Sequence, residues 1–381
     1  MFKLNFYKSK RKRIVYKSKL NFEFNQIDIQ YLFIKDYKSL TNEEKDTIKE
    51  FYYSKSKSDF YNLLEYNKII PFGAHILSEL NCDVPFWKSK YEFFYNRNNK
   101  IKELLNSVFQ KLNSVNCKSI ALTENFAVLL STKSNIGCFS SGDVDLSANI
   151  YEKDKIISCL NDFDFYSDDK SNKITEYSGQ SMQFFNKNFL DNGFWINIIW
   201  KPVTRAFLIQ NKYEKRLEKA RINYKLIENT SIRVLGDTEL MYFCCLHISA
   251  GHYFTLTPGL RLYYDIDRLA SYGNIDWNNL KLWEIEDNAG LRISFMLILS
   301  KKILNSKIPE NIFNTPLDKF RNQLFLKYLF DSSSHKIQSK SSFLRRFIIE
   351  LLSDNKNIIF SFFNRTYKYF VSKLSLNSNI Y

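Results

Sequence analysis

Ser140-Ser141-Gly142-Asp143-Val144-Asp145-Leu146 is the stretch on which the reading of this chain turns. Asp143 and Asp145 are two residues apart, and in a β-strand such residues share a face. Their carboxylates then converge, while Val144 and Leu146 turn into a core and fix the strand. Hard divalent cations such as Mg²⁺ favour carboxylate oxygens and retained water, so the pair is a candidate metal site. The Ser140-Ser141-Gly142 turn puts it at a strand start, where glycine lets a ligand come close to the backbone. The two serine hydroxyls can donate to a bound phosphate, although serine is equally common in turns for local reasons. Without its context the acid pair reads as exposed strand-edge residues.

The surrounding pattern supplies that context. Thr41 followed by Glu44 predicts a capping box, and helical spacing then recurs to about Asn116, broken near Pro71 and Pro85. From Pro85 to Leu112 the apolar stripe runs through Phe86, Phe93, Ile101, Leu105, Val108 and Leu112. At Lys118 the pattern changes. Ser119–Leu122 and Val144–Ala148 read as strands, each followed by a helix (Glu124–Leu130, Asp154–Leu160). Shorter strand signals follow at Lys173–Tyr177, Met182–Phe185 and Phe194–Trp200, with a hairpin at Tyr224–Leu235. Helix dominates again beyond Thr204 and runs on through Trp277–Leu304. The expected class is α+β, a small mixed sheet between N- and C-terminal helical regions. The segments are a basic arm or peripheral strands at 1–37, a helical region at 38–116, an α/β domain at 117–235, a helical region at 236–330 and a basic amphipathic tail at 331–381.

A formal net charge of +15 admits nucleic acid or anionic lipid as a partner. Compositional drift toward Lys is the favoured account, because Asn, Ile, Phe and Tyr are abundant as well. Lys3, Lys8, Lys10, Arg11, Lys12, Arg13, Lys17 and Lys19 crowd the N-terminal arm, with Phe2, Phe6, Tyr7 and Tyr16 interleaved as in some single-strand binders, although a solvated arm is the favoured reading. In the tail, Phe343, Leu344, Phe347 and Ile348 alternate with Arg345 and Arg346, which suits peripheral contact with an anionic membrane. Packing on the protein itself is the favoured alternative. No apolar run reaches membrane-spanning length, and the basic N-terminus lacks the apolar segment of a secretory signal. The six cysteines include no CxxC pair; buried free thiols in a reducing cytoplasm are expected, and a zinc site is not. Glycine patterns for a P-loop, a dinucleotide fold or a nucleophile elbow are missing, which leaves kinase-type, dehydrogenase and hydrolase readings without support.

The order of helical lead-in, strand, helix and Gly142-Asp143-Val144-Asp145-Leu146 strand resembles the nucleotidyltransferase superfamily with the polymerase-β-like fold. More narrowly, it is similar to bacterial uncharacterised nucleotidyltransferases associated with cell-surface polysaccharide and peptide modification. The resemblance covers roughly residues 40–305. It is carried by Ile120-Ala121-Leu122, the Asp pair, Ile196-Asn197-Ile198-Ile199-Trp200, Leu246-His247, Leu260 to Ile266 and Asp276-Trp277. It implies Mg²⁺-dependent transfer of a nucleotidyl group from an NTP to an unidentified acceptor, in the cytoplasm. Asp143 and Asp145 would hold the metal, with Asn197 at the third-ligand position. Ser140, Ser141, Gly142 and Arg261 would contact the nucleotide.

Three positions depart from the family pattern. A Lys-Gly pair after the first strand is replaced by Thr123-Glu124, an Arg ahead of the Asp pair by Phe139, and an acid and a His on the later strand by Asn197 and Ile199. An acid at a phosphate-facing helix start opposes a triphosphate, and Asn offers an oxygen but neither charge nor base. The alternative is therefore a catalytically degenerate module that binds a nucleotide, a glycan intermediate or a protein partner. Glu124 and Glu176 are the acids that could stand in at Asn197. Arg261 and Asp265, four apart on a helix, are expected to form a structural ion pair, and Asp267 to be solvated. His247 and His252 do not have zincin spacing and are expected to be packing residues, with His247 the better functional candidate because the resemblance reaches it; His75 and His335 have no visible partner.

Overall fold

Thr41 caps the first long helix as its sequence requires. Its hydroxyl accepts from the amide of Glu44 at 3.2 Å, and the Glu44 carboxylate accepts from the amide of Thr41 at 3.0 Å. This box opens α1 (Asn42–Tyr53). The computed structural model describes residues 31–167, 181–189, 193–200, 210–251, 254, 260–287, 289, 291–313 and 323. The arm up to residue 30, the strand expected at Lys173–Tyr177 with Glu176, His252, His335 and the 331–381 tail lie outside them.

Helices α2 (Lys57–Tyr66), α3 (Ile70–Glu79) and α4 (Val84–Ser114) complete the lead-in. Pro71 and Pro85 sit in the first turns of α3 and α4, where a missing N–H breaks no helical bond. The described end of the expected arm is not strand. Tyr37–Ser39 is a short 3-10 turn, and Phe33 and Ile34 are buried. The Phe33 ring meets Phe60 edge-on at 5.4 Å, and Phe60 meets Trp87 at 5.9 Å. Such ring pairs add about 1 kcal/mol each beyond burial and hold residues 31–39 on the helices. Along α4, Ile101, Leu105, Val108 and Leu112 are fully buried, whereas Phe93 on the expected stripe is half exposed.

Seven strands form one mixed sheet: β1 (Ile120–Thr123), β2 (Asp143–Ala148), β3 (Tyr166–Ser167), β4 (Ser181–Asn186), β5 (Phe194–Ile199), β6 (Lys225–Leu226) and β7 (Arg233–Val234). Their order is β3-β4-β5-β2-β1-β7-β6. β2 lies between β1, antiparallel to it, and β5, parallel to it. Each of the helices α5 (Glu124–Ser131) and α6 (Lys153–Asn161) follows its strand as expected, and the hairpin read at Tyr224–Leu235 is the β6–β7 pair. α4 ties down two loops, from its middle and from its C-terminal half. Asn98 donates its amide to the carbonyls of Ile136 (2.7 Å) and Phe139 (3.0 Å), just ahead of β2, and Asn106 accepts from the amide of Ser231 at 2.7 Å.

The C-terminal part comprises α7 (Gln210–Ile222), α8 (Asp237–Leu246) with a π-helical extension at His247–Gly251, α9 (Leu260–Tyr272), α10 (Trp277–Glu286) and α11 (Arg292–Leu304). The run read as continuous from Trp277 to Leu304 is thus two helices. The chain turns at fully buried Asp287, which accepts from Arg216 at 2.8 and 3.0 Å and from the Tyr242 hydroxyl at 2.8 Å. Asp267 is not solvated either. It is buried, accepting from Arg268 and from the Ser306 hydroxyl, each at 2.8 Å. One hydrophobic cluster runs from Tyr31 to Ile312, so the helices at both ends share a core with the sheet. All six cysteines are free and buried within it. Among the described residues no helix is long and apolar enough to cross a membrane.

Candidate active site

β2 is buried along its whole length after Asp143, so its burial does not alternate. Val144 and Leu146 are fully buried, and Asp143 stands at the strand start, partly exposed. Asp145 is also buried, at 9% exposure, because strands flank it on both sides. Its register partners are Thr123 on β1 and Asn197 on β5.

Asn197 donates its Nδ2 to Asp145 Oδ1 at 2.8 Å, and its own Oδ1 is sealed from solvent with no partner among the described residues. The Ser141 hydroxyl donates to Asp143. A side-chain carbon on Gly142 would meet nothing within 4 Å, so the open space expected beside that glycine exists. Ser140 does not join the group, because its hydroxyl donates to the Lys68 carbonyl at 2.7 Å. Arg261 forms the expected ion pair with Asp265 at 3.4 Å, and both are buried. The Arg261 guanidinium also lies 5.6 Å from the centre of the Phe139 ring.

Two further contributors come from distant parts of the chain. Arg97 on α4 donates to the Ser141 carbonyl at 2.9 Å, and the Asp143 charge acts on it. Burial depresses the Arg97 pKa, and the neighbouring Asp143 offsets part of that. A cation is therefore present ahead of the Asp pair, supplied by a helix rather than by the position that Phe139 holds. The second contributor is Glu124, the first residue of α5, buried at 8% exposure with a left-handed φ of 58°. Its Oε1 lies 3.1 Å from His247 Nδ1. Left-handed backbone at this position explains why glycine suits it, and Glu124 adopts the same conformation at a cost of about 1 kcal/mol or more.

Charge and burial are strongly coupled here. Burial, then the nearby Glu124 and Asp143, push the Asp145 carboxyl up to about 8, against the pull of the Asn197 amide. Burial alone would lower the His247 pKa, but Glu124 and Asp145 carry it up to about 9. Asp265 is raised to about 7 by burial, with Arg261 opposing and Glu124 adding to the shift. Glu124 thus belongs to the same electrostatic group as Asp145, His247 and Asp265. His75, by contrast, is a packing residue, stacked on the Tyr91 ring at 5.0 Å.

Among the described residues no three His, Cys, Asp or Glu side chains are arranged to hold a metal. Mg²⁺ is commonly held by one or two carboxylates together with substrate phosphates and water. The donor set of Asp143, Asp145 and the orphaned Asn197 Oδ1 is all hard oxygen and fits that habit.

The helices around a seven-stranded mixed sheet are consistent with a nucleotidyltransferase-type α+β fold. The profile of a family described as uncharacterised nucleotidyltransferase matches residues 54–304, from the end of α1 to the end of α11, and the chain belongs to that family. No curated protein and no solved structure matches it.

Proposed function

We propose that the protein transfers a nucleotidyl group from an NTP to an acceptor hydroxyl, with Asp143 and Asp145 as the Mg²⁺-holding pair. The observation that carries this reading is the pair itself: two carboxylates on adjacent same-face positions of β2, beside the open space at Gly142 and the unsatisfied Asn197 Oδ1. Bound Mg²⁺ would neutralise phosphate charge as pyrophosphate leaves. The chain's own groups set the geometry. Ser141 fixes the rotamer of Asp143, Asn197 that of Asp145, and Arg97 holds the turn that presents them. The resemblance links such transfer to cell-surface polysaccharide or peptide modification, with the acceptor itself unidentified, and the reaction is read as cytoplasmic.

Asn197 favours a second reading, in which the domain binds nucleotide without transferring it, because an amide supplies neither charge nor base. The two readings separate in one assay. The full-length protein is incubated with Mg²⁺, each of the four NTPs radiolabelled at the α-phosphate, and extract of the source cells. Transfer predicts label in an acceptor, abolished in Asp143→Asn/Asp145→Asn. Nucleotide binding without label supports the binding module, and label unaffected by the double variant rules out the Asp pair.

A further inference from the structure

Nucleotidyl transfer to a hydroxyl needs a group that takes up the hydroxyl proton. Resting on the nucleotidyl-transfer reading above, we propose that Glu124 is that proton acceptor and that His247 is the residue that positions it. Among the described residues the other candidates are occupied. Asn197 cannot accept a proton at its amide, and its Nδ2 is committed to Asp145. Asp143 and Asp145 are assigned to the cation. Asp265 is paired with Arg261 at 3.4 Å and buried with it. His247 presents Nδ1 to Glu124.

Glu124 has the opposite character. His247 engages its Oε1 at 3.1 Å, while its Oε2 accepts no hydrogen bond from any described residue. The residue directly before it, Thr123, is the register partner of Asp145, so the β1–α5 junction delivers Glu124 to the acid pair. Among neighbouring charges, Glu124 is the one that acts most strongly on Asp145. Its left-handed φ of 58° is a conformation that glycine adopts freely, yet a carboxylate is held there and nearly buried. Strain of that kind persists where the surrounding structure over-determines it, and it clusters at functional sites.

In the step this assigns, the acceptor hydroxyl gives its proton to the Glu124 carboxylate as its oxygen bonds to the α-phosphorus. The bond from that phosphorus to the bridging oxygen breaks, and pyrophosphate leaves with the electron pair. Glu124 then releases the proton to water. The acid missing from the Asn197 position is on this account supplied from β1–α5, the opposite flank of Asp145.

The test uses the full-length protein, the α-labelled NTPs and the extract described above, with Mg²⁺–NTP binding measured separately by calorimetry. Glu124→Gln keeps the shape and the contact with His247 and is expected to slow transfer about 100-fold or more, with binding unchanged within about twofold. Glu124→Gly adopts the left-handed backbone without strain, so it stays folded by thermal unfolding and shows the same loss. His247→Gln is expected to lower kcat about tenfold at constant KM, the mark of a residue that orients the base. Transfer by Glu124→Gln at the wild-type rate overturns the proposal and leaves the Asp pair standing. So does loss of nucleotide binding in step with loss of rate. Absence of transfer by the wild-type protein sinks the nucleotidyl-transfer reading itself, and the proposal with it.

Discussion

Asn197 donates its amide to Asp145 across the parallel β5–β2 pairing, at 2.8 Å, and leaves its own oxygen buried without a partner among the described residues. A buried polar atom left unsatisfied costs about 1–3 kcal/mol, and this oxygen is a hard donor suited to a cation held by Asp145. Asn197→Asp converts the donor into a carboxylate facing Asp145. Without metal, the variant loses a hydrogen bond and gains like-charge repulsion, and stability should fall by about 1–3 kcal/mol. Added Mg²⁺ should restore it, giving a larger thermal shift than in the wild-type protein. Equal Mg²⁺ shifts in the two proteins would contradict a cation at this pair.

Asp287 makes a different demand, because it is fully buried and joins α10 to α7. Arg216 reaches both of its oxygens and Glu286, and stacks over the Trp283 ring at 4.4 Å. Asp287→Ala strands the guanidinium, so denaturant unfolding should show a loss of about 3–5 kcal/mol. Replacing both partners with apolar residues, Arg216→Met/Asp287→Leu, should recover most of that. A single variant as stable as the wild type would show that the pair does not hold the turn.

Glu152 gives stability a defined pH dependence. Burial raises its pKa, but hydrogen bonds from the Ser119 hydroxyl and from the amides of Ser119 (2.9 Å) and Lys118 (3.1 Å) outweigh that and hold it below the ordinary glutamate value. A carboxylate depressed in the folded state contributes stability above its unfolded pKa, and that contribution is lost as pH falls through the folded one. Glu152→Gln should cost about 1 kcal/mol at neutral pH, kept low because the group is partly solvated. The difference from wild type should shrink below about pH 4. A constant difference across that range would show that the carboxylate charge is irrelevant.

Much of the scaffold was legible because its signals are local. The Thr41–Glu44 box, the helix breaks near Pro71 and Pro85, and the period-two pattern of Asp143 to Leu146 each depend on residues a few positions apart. The Arg261–Asp265 pair follows from helical spacing alone. What escaped reading depends on contacts between distant segments. Asp267 is buried because Ser306 folds back onto it, and the turn at Asp287 is set by Arg216 and Tyr242, with no proline to announce it. At the candidate site, Glu124 read as an acid adverse to phosphate, but the fold brings His247 against it. Arg97 carried no signal, since on α4 it is one basic residue among several. The left-handed backbone at Glu124 was hinted at only by the glycine that the family resemblance puts there.

Calorimetric titration with an α,β-methylene NTP analogue, with and without Mg²⁺, decides whether Asp143 and Asp145 form a cation-dependent nucleotide site. The wild-type protein should bind only with Mg²⁺, and Asp143→Asn/Asp145→Asn should lose that requirement together with most of the affinity. Wild-type binding that ignores Mg²⁺, or undiminished Mg²⁺-dependent binding by the double variant, would contradict it.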